Sequence, residues 1–223
     1  LDWEKQIKTQ LINYGCALLD CGLIAGTWGN LSARVPGGNC IAVTPSGRNY
    51  RSLTCEDIVL VNMEAAVVRG RLKPTSELAL HLAIYRQRQE VKAIIHTHSV
   101  FASAFAVARR PIEPIVEDIA QLVGGSIEVA AYALNGTDEL AENAVKALGG
   151  KNAVLLANHG LVCCGRTLSE AMLTCQLVEK TAQIFIYANQ IGTAEVLSDG
   201  DIGAMHRGYV EDYSKRQGGQ ADD

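Results

Sequence analysis

A chain of 223 residues with 48% hydrophobic, 20% charged and 5% aromatic residues has the composition of a globular domain, not of a disordered segment. At this length a chain buries roughly 70% of its unfolded surface, so a core stands without disulfides. The 20 Lys and Arg against 24 Asp and Glu leave a net charge of −4, which argues against a nucleic-acid binder. The most apolar run, Ala93 to Ala108, is interrupted by His96, Thr97, His98 and Ser99 and falls short of the ~20 residues of a membrane span.

Ile7, Leu11, Tyr14, Leu18 and Gly22 recur at helical spacing and predict an opening helix from about Trp3 to Ala25, stopped by Gly26. Gly29-Asn30 leads into an alternating strand, 31–35. A turn at Pro36-Gly37-Gly38-Asn39 returns the chain as a second strand, 40–44. After Pro45-Ser46-Gly47 and a helical turn at 54–57, a hairpin is predicted over 58–62 and 66–69. Pro74-Thr75-Ser76-Glu77 starts a helix to about Arg88. A buried strand, 91–96, a helix, 99–109, and a loop at Pro111 and Pro114 follow, then a short helix, 118–123, and a strand, 127–130. Thr137 opens a helix to Leu148, and strands 153–157 and 161–164 flank Asn158-His159-Gly160. Thr167-Leu168-Ser169-Glu170 has capping-box form and opens a helix to about Gln190. Beyond Gly192 the chain is polar and Gly-rich, and a flexible tail is expected from about residue 193.

With no internal repeat or long linker, residues 1–223 read as a single α/β domain, with a mixed, largely antiparallel sheet covered by helices on both faces. Neither GxGxxG after a first strand nor GxxxxGK[ST] is present, so a nucleotide site has no support. The seven cysteines are odd in number, irregularly spaced and free of any CxxC pair, which fits reduced, buried thiols and a cytoplasmic protein. The charged residues at 1–5 are unlike a signal peptide. Cys163 and Cys164 are strand neighbours and point to opposite faces, so they read as packing residues.

Chemistry concentrates in the histidines. His96 and His98 are two apart at the end of an apolar strand and share one face, so both imidazoles can reach one ion. His159 ends another apolar strand, before a glycine that lets the backbone pass close to a ligand. Three imidazoles leave a coordination position open, as catalytic zinc sites do. The alternative is a pair of satisfied polar groups at a strand edge. Glu77 falls in the first turn of its helix, either as an ordinary first-turn acid or as a base beside a metal. The small hydroxyl residues ahead of it suit a phosphate at a helix N-terminus. His81, four residues on, reads as a half-buried polar residue or a local partner of Glu77, not as a ligand, and His206 as a solvated residue of the tail.

Taken in order, Gly29-Asn30-Leu31-Ser32, Thr44-Pro45-Ser46-Gly47, Pro74-Thr75-Ser76-Glu77, His96-Thr97-His98 and Asn158-His159-Gly160 resemble the class II aldolase/adducin family, and within it the fuculose-phosphate aldolase branch. The resemblance runs from the first helix to about Gly192. It implies an antiparallel sheet between helical layers and a homotetramer with sites between subunits. It further implies one Zn²⁺ per subunit on His96, His98 and His159, with Glu77 completing the metal shell in the empty site and acting as base once substrate displaces it. The same resemblance gives a phosphate cradle of Gly29, Asn30, Ser46, Gly47, Thr75 and Ser76, working through backbone N–H groups, hydroxyls, an amide and the helix dipole. The implied activity is a lyase that cleaves a phosphorylated deoxy-ketose, such as L-fuculose 1-phosphate, to dihydroxyacetone phosphate and a small aldehyde such as lactaldehyde. The implied partner is the sugar phosphate, with neither nucleic acid nor membrane. A pentulose-phosphate 4-epimerase, which carries Asp at the position of Glu77, a 3-oxo-sugar-acid phosphate decarboxylase and a non-catalytic adducin-like module are the alternatives. Two positions depart from the pattern. Glu117 stands where the family has a tyrosine proton donor reaching across from a neighbouring subunit, and Asn135 replaces an aromatic residue. Tyr209 and Tyr213 are the tail tyrosines available to close the site.

Overall fold

Four early strands, β1 (Asn30–Arg34), β2 (Cys40–Val43), β3 (Val59–Asn62) and β4 (Val67–Arg69), pair in sequence as an antiparallel meander in the computed structural model, which describes residues 2–213. β5 (Ala93–Thr97) adds antiparallel to the free side of β1, and β8 (Gly160–Gly165) and β7 (Ala153–Leu156) continue outward. β6 (Val129–Ala130) closes the sheet with its one parallel pairing among the described residues. The order is β4-β3-β2-β1-β5-β8-β7-β6.

Strand alternation sends successive side chains into two cores. Leu31, Ile95 and Cys163 face a layer made by α1 (Asp2–Asp20), α3 (Val100–Ala108), α4 (Glu117–Val123) and α6 (Leu168–Ile191). Ile94, Val162 and Cys164 face α2 (Leu78–Gln87) and α5 (Asp138–Leu148). The adjacent cysteines therefore lie on opposite sides of the sheet, buried and free. The expected single α/β domain with a mainly antiparallel sheet between helical layers is the fold observed. The capping box is present too, with Thr167 Oγ1 accepting from the Glu170 N–H at 3.1 Å.

Two expectations change. The first helix stops at Asp20, not near Ala25. Gly22 takes φ 69°, and the N–H groups of Gly22 and Leu23 return to the carbonyls of Leu19 and Leu18, so the chain closes in a Schellman-type turn one glycine earlier than expected. The stretch expected to be a flexible tail instead carries α7 (Asp199–Gly208), capped by Ser198 and packed on α4, followed by a π-helical turn over Tyr209–Tyr213. Three glycines lower its helix propensity, but Ile202 and Tyr209 are buried on one side and anchor it. His206 is held as well: its Nδ1 donates to the Gln121 carbonyl at 2.7 Å. Residues 214–223 lie outside the described residues, as does the side chain of Tyr213. No helix among the described residues is long and apolar enough to cross a membrane.

Candidate active site

Sheet register brings the chemical residues together. Asn30 at the start of β1 pairs with His96 near the end of β5, and β8 begins at Gly160, with Leu161 paired to Thr97 of β5. A Cβ on Gly160 would lie 2.3 Å from the Thr97 carbonyl oxygen and 3.0 Å from the His98 ring, so no other residue lets β8 approach this closely. Asn158 turns the β7–β8 corner at φ 54°, a left-handed conformation that Asn tolerates, and this delivers His159 to the end of the sheet.

One ligating nitrogen from each of His96, His98 and His159 lies within 4.8 Å of the others, so the group could hold a metal ion. His96 Nδ1 donates to the Leu161 carbonyl at 3.0 Å, which places the proton on that side of the ring. Its Nε2 lone pair then faces inward, 2.8 Å from His98 Nε2. Burial, with the neighbouring imidazoles adding to it, lowers the pKa values of His96 to about 3 and His159 to about 4. Burial lowers His98 as well. All three are neutral at ordinary pH, the form in which an imidazole can take up a metal ion.

Glu77 caps α2 and is 4% exposed. Its Oε2 lies 3.1 Å from His96 Nε2 and accepts from Asn30 Nδ2 at 2.7 Å. Its Oε1 lies 3.4 Å from His159 Nε2, and among the described residues no hydrogen-bond donor satisfies it. A buried carboxylate oxygen without a donor is costly, and inward-facing lone pairs of neutral nitrogens add to the demand for a cation. Imidazole nitrogen with carboxylate oxygen is a donor set that fits a borderline divalent ion.

A cleft of about 280 Å³ opens beside this group. Gly29, Asn30, Ser46, Gly47, Thr75 and Ser76 all line it, together with Glu77, His98 and His159. The expected reliance on backbone N–H groups is narrower than anticipated. The Ser46 N–H already donates to the Lys73 carbonyl at 3.0 Å, and the Glu77 N–H to Thr75 Oγ1 at 3.3 Å. Hydroxyls are what Ser46 and Thr75 can offer a ligand. Asn135 also lines the cleft, as do Thr27 and Trp28, two residues without a sequence signature of their own. Trp28 is 63% exposed, with its ring 5.8 Å from that of His98. The signal available was position: both residues immediately precede Gly29-Asn30, in the same turn.

Some expected residues sit elsewhere. Glu117 is exposed in the first turn of α4 and does not line its own chain's cleft. The Tyr209 hydroxyl lies 3.4 Å from Glu170 Oε1, outside the cleft lining. His81 is fully buried, not half-buried, and its ring bonds Asn30 and Ser32, not Glu77.

A histidine pocket at one end of an antiparallel sheet, with a carboxylate over it, is the plan of a metal-dependent lyase. The family model for the Class II Aldolase and Adducin N-terminal domain matches residues 9–186, and the chain belongs to that family. It is 33% identical to the 5-deoxy-D-ribulose 1-phosphate aldolase of Bacillus thuringiensis serovar kurstaki, over 87% of this chain and 91% of that one. It is 38% identical to the 5-methylthioribulose-1-phosphate/5-deoxyribulose-1-phosphate aldolase of Rhodospirillum rubrum, covering 86% of this chain and 85% of the relative. Among solved structures, an L-fuculose 1-phosphate aldolase superposes with a TM-score of 0.89 at 38% identity, covering 92% of this chain and 96% of that one. The chain is a class II aldolase.

Proposed function

We propose that the protein cleaves a ketose 1-phosphate with a deoxy or otherwise apolar far end, L-fuculose 1-phosphate or a 5-deoxypentulose 1-phosphate, to dihydroxyacetone phosphate and the matching aldehyde. The single observation that carries the reading is the unpartnered Glu77 Oε1 facing three neutral imidazoles at the inner end of a hydroxyl-lined cleft. His96, His98 and His159 would hold one Zn²⁺, the ion best matched to neutral nitrogen ligands with an open position. A bound zinc ion supplies Lewis acidity at the ketose oxygens.

The chain's own groups do the rest. Thr75, Ser46 and Ser76 offer hydroxyls to the phosphate, Asn30 and Gly47 complete that shelf, and Gly29 keeps the wall thin. A Cβ at Gly29 would meet the His96 carbonyl oxygen at 2.8 Å, so the glycine also permits the close pass over β5. In the condensation direction Glu77 takes the C3 proton of dihydroxyacetone phosphate, C3 then bonds to the aldehyde carbon, and the aldehyde oxygen takes up a proton. Cleavage runs the same steps backwards: the C4 hydroxyl loses its proton, the C3–C4 bond breaks, and Glu77 returns a proton to C3. Trp28 and Asn135 face the aldehyde half; the indole suits an apolar terminus. All the relatives reported above are named for substrates that lack a terminal hydroxyl, which supports this choice. Glu117, exposed on its own chain, is assigned to the aldehyde oxygen of a neighbouring subunit's site in a homotetramer. On this assignment Glu117→Gln slows cleavage by about 10²–10⁴, as loss of a general acid or base does, and leaves proton exchange on dihydroxyacetone phosphate intact.

The direct test is release of dihydroxyacetone phosphate from L-fuculose 1-phosphate and from 5-deoxyribulose 1-phosphate. The reading requires product from at least one, lost on chelation and restored by Zn²⁺. Absence of product from both, or activity indifferent to chelation, contradicts it.

A further inference from the structure

Behind Glu77 a line of buried polar side chains runs away from the cleft into the face between the sheet and α2. The Tyr85 hydroxyl lies 2.9 Å from Ser32 Oγ, and Ser32 Oγ lies 2.6 Å from His81 Nδ1. His81 Nε2 lies 2.5 Å from Asn30 Oδ1, and Asn30 Nδ2 donates to Glu77 Oε2 at 2.7 Å. Tyr85, Ser32 and His81 are fully buried, so water does not substitute for any of the bonds among them. Arg34 lies over the Tyr85 ring, 4.7 Å from its centroid, and its guanidinium donates to the Tyr85 carbonyl, which fixes the far end of the line.

Bond polarity along this line has one solution. An ionised Glu77 can only accept, so Asn30 must turn its NH₂ toward it and its oxygen toward His81. His81 Nε2 must then carry the ring proton, and Nδ1 must accept from the Ser32 hydroxyl. Ser32 oxygen in turn accepts from Tyr85. The two alternatives for each amide and ring are thereby reduced to one, from Tyr85 to Glu77.

We propose that Tyr85, Ser32 and His81 are positioning residues for Glu77, acting through the amide of Asn30. They hold the Asn30 NH₂ against Oε2, which leaves Oε1 as the oxygen turned to the reaction. The proposal rests on the reading of Glu77 as the proton-transferring group, and it adds the source of that group's orientation. His81 sits on the helix that Glu77 caps, and Asn30 and Ser32 sit on one face of β1, so helix and strand are locked at this point by the same bonds that aim the carboxylate. If the ring were held in the other tautomer, Nε2 would present a lone pair to Asn30. The amide would then turn over and set its oxygen against the Glu77 carboxylate.

Two measurements test this. In protein labelled with ¹⁵N-histidine and freed of metal by chelation, His81 shows the Nε2–H tautomer in the wild type, and Ser32→Ala shifts it toward Nδ1–H. A wild-type ring protonated at Nδ1 overturns the proposal, and this readout stands whether or not the enzyme cleaves the proposed substrates. In the zinc-loaded enzyme, His81→Leu lowers kcat by about 10²-fold, the scale for a reacting group misplaced by ~1 Å, with KM and zinc stoichiometry near those of the wild type. His81→Gln, whose amide nitrogen matches the Nε2 donor, recovers most of that loss, and Ser32→Ala gives a smaller fall of the same kind if His81→Leu does not fold. Equal kcat for His81→Gln and His81→Leu, or an unchanged kcat in Ser32→Ala, contradicts the positioning role while wild-type turnover keeps the reading of Glu77 intact.

Discussion

At the inner end of the cleft Asn30, Glu77, His81 and His96 are buried and hold one another, whereas at its mouth Thr27, Trp28, Ser46 and Ser76 are exposed loop residues. The inner group is fixed by strand register: Asn30 opposite His96, and Gly160 against Thr97. Moving Asn30 or His96 by one residue would turn it to the other face of the sheet. The mouth is less constrained: beside it lie turns at Gly26 and Gly47, where an added Cβ meets nothing within 4 Å and the chain can change without disturbing the sheet. On the proposed function, proton transfer belongs to the buried end, and recognition of the substrate's phosphate and aldehyde ends to the exposed one.

The sharpest way to break this contrast is at Gly160. Gly160→Ala sets a methyl 2.3 Å from a backbone oxygen, so β8 must shift away from β5. Metal binding and activity should both vanish, with stability lowered by about 1–3 kcal/mol or more, measurable by thermal unfolding. A variant that still binds metal stoichiometrically would show that the register is not what builds the site. His98→Ala tests the same end without touching the backbone. His98 is only partly buried, so activity and metal should be lost while the unfolding temperature of the metal-free protein stays close to that of the wild type.

Glu77→Gln should retain metal and phosphate but lower kcat by about 10²–10⁴, the usual contribution of a general base, with little change in KM. A near-normal kcat would move the proton to another group.

Acidity probes the inner end as a whole. His81, at about 4, His96, at about 3, and His159, at about 4, all stand below the ordinary 6.5 because burial opposes their charged forms. Below about pH 6.5 the unfolded chain binds protons that the folded chain refuses, so stability is full above that pH and falls as pH drops. Each group contributes a slope of up to about 1.4 kcal/mol per pH unit in that window. Unfolding temperatures of chelated protein should decline from about pH 6.5 downward; a flat profile would mean the imidazoles are hydrated, not buried.

Changes at the mouth should be smallest. Ser46→Ala removes one exposed hydroxyl, worth about 0.5–1.5 kcal/mol, so KM for the phosphorylated ketose should rise by up to about tenfold with kcat nearly unchanged. Trp28→Ala should raise KM more for a deoxy-ended ketose than for its terminally hydroxylated analogue. Equal changes for the two would remove the indole from the choice of aldehyde.

Sequence reading located the inner end well because periodicity encodes it. Two histidines on one strand face, a glycine beside the third and an acid at a helix start are patterns with a physical meaning in one dimension. The mainly antiparallel sheet between helical layers is legible for the same reason, whereas the order of its strands is not. The partners of His81 are not legible in the sequence, because its bonds to Asn30 and Ser32 cross from α2 to β1 and no local pattern carries them. The early stop of α1 turns on which of two positive-φ glycines closes the helix with N–H bonds back to its last turn, and α7 on two buried apolar residues in an otherwise polar stretch. Trp28 was passed over because an exposed aromatic gains meaning only from the wall it faces.

The measurement closest to the central claim is exchange of the C3 proton of dihydroxyacetone phosphate with deuterated solvent, followed by NMR with no aldehyde present. It needs only the inner end of the cleft, so the identity of the aldehyde does not enter. The account predicts exchange at one of the two C3 positions by the zinc-loaded wild type, none after chelation, and none in Glu77→Gln even though that variant still binds the compound. Exchange that survives in Glu77→Gln, or in the metal-free protein, would contradict the assignment of the reaction to the histidine pocket and its carboxylate.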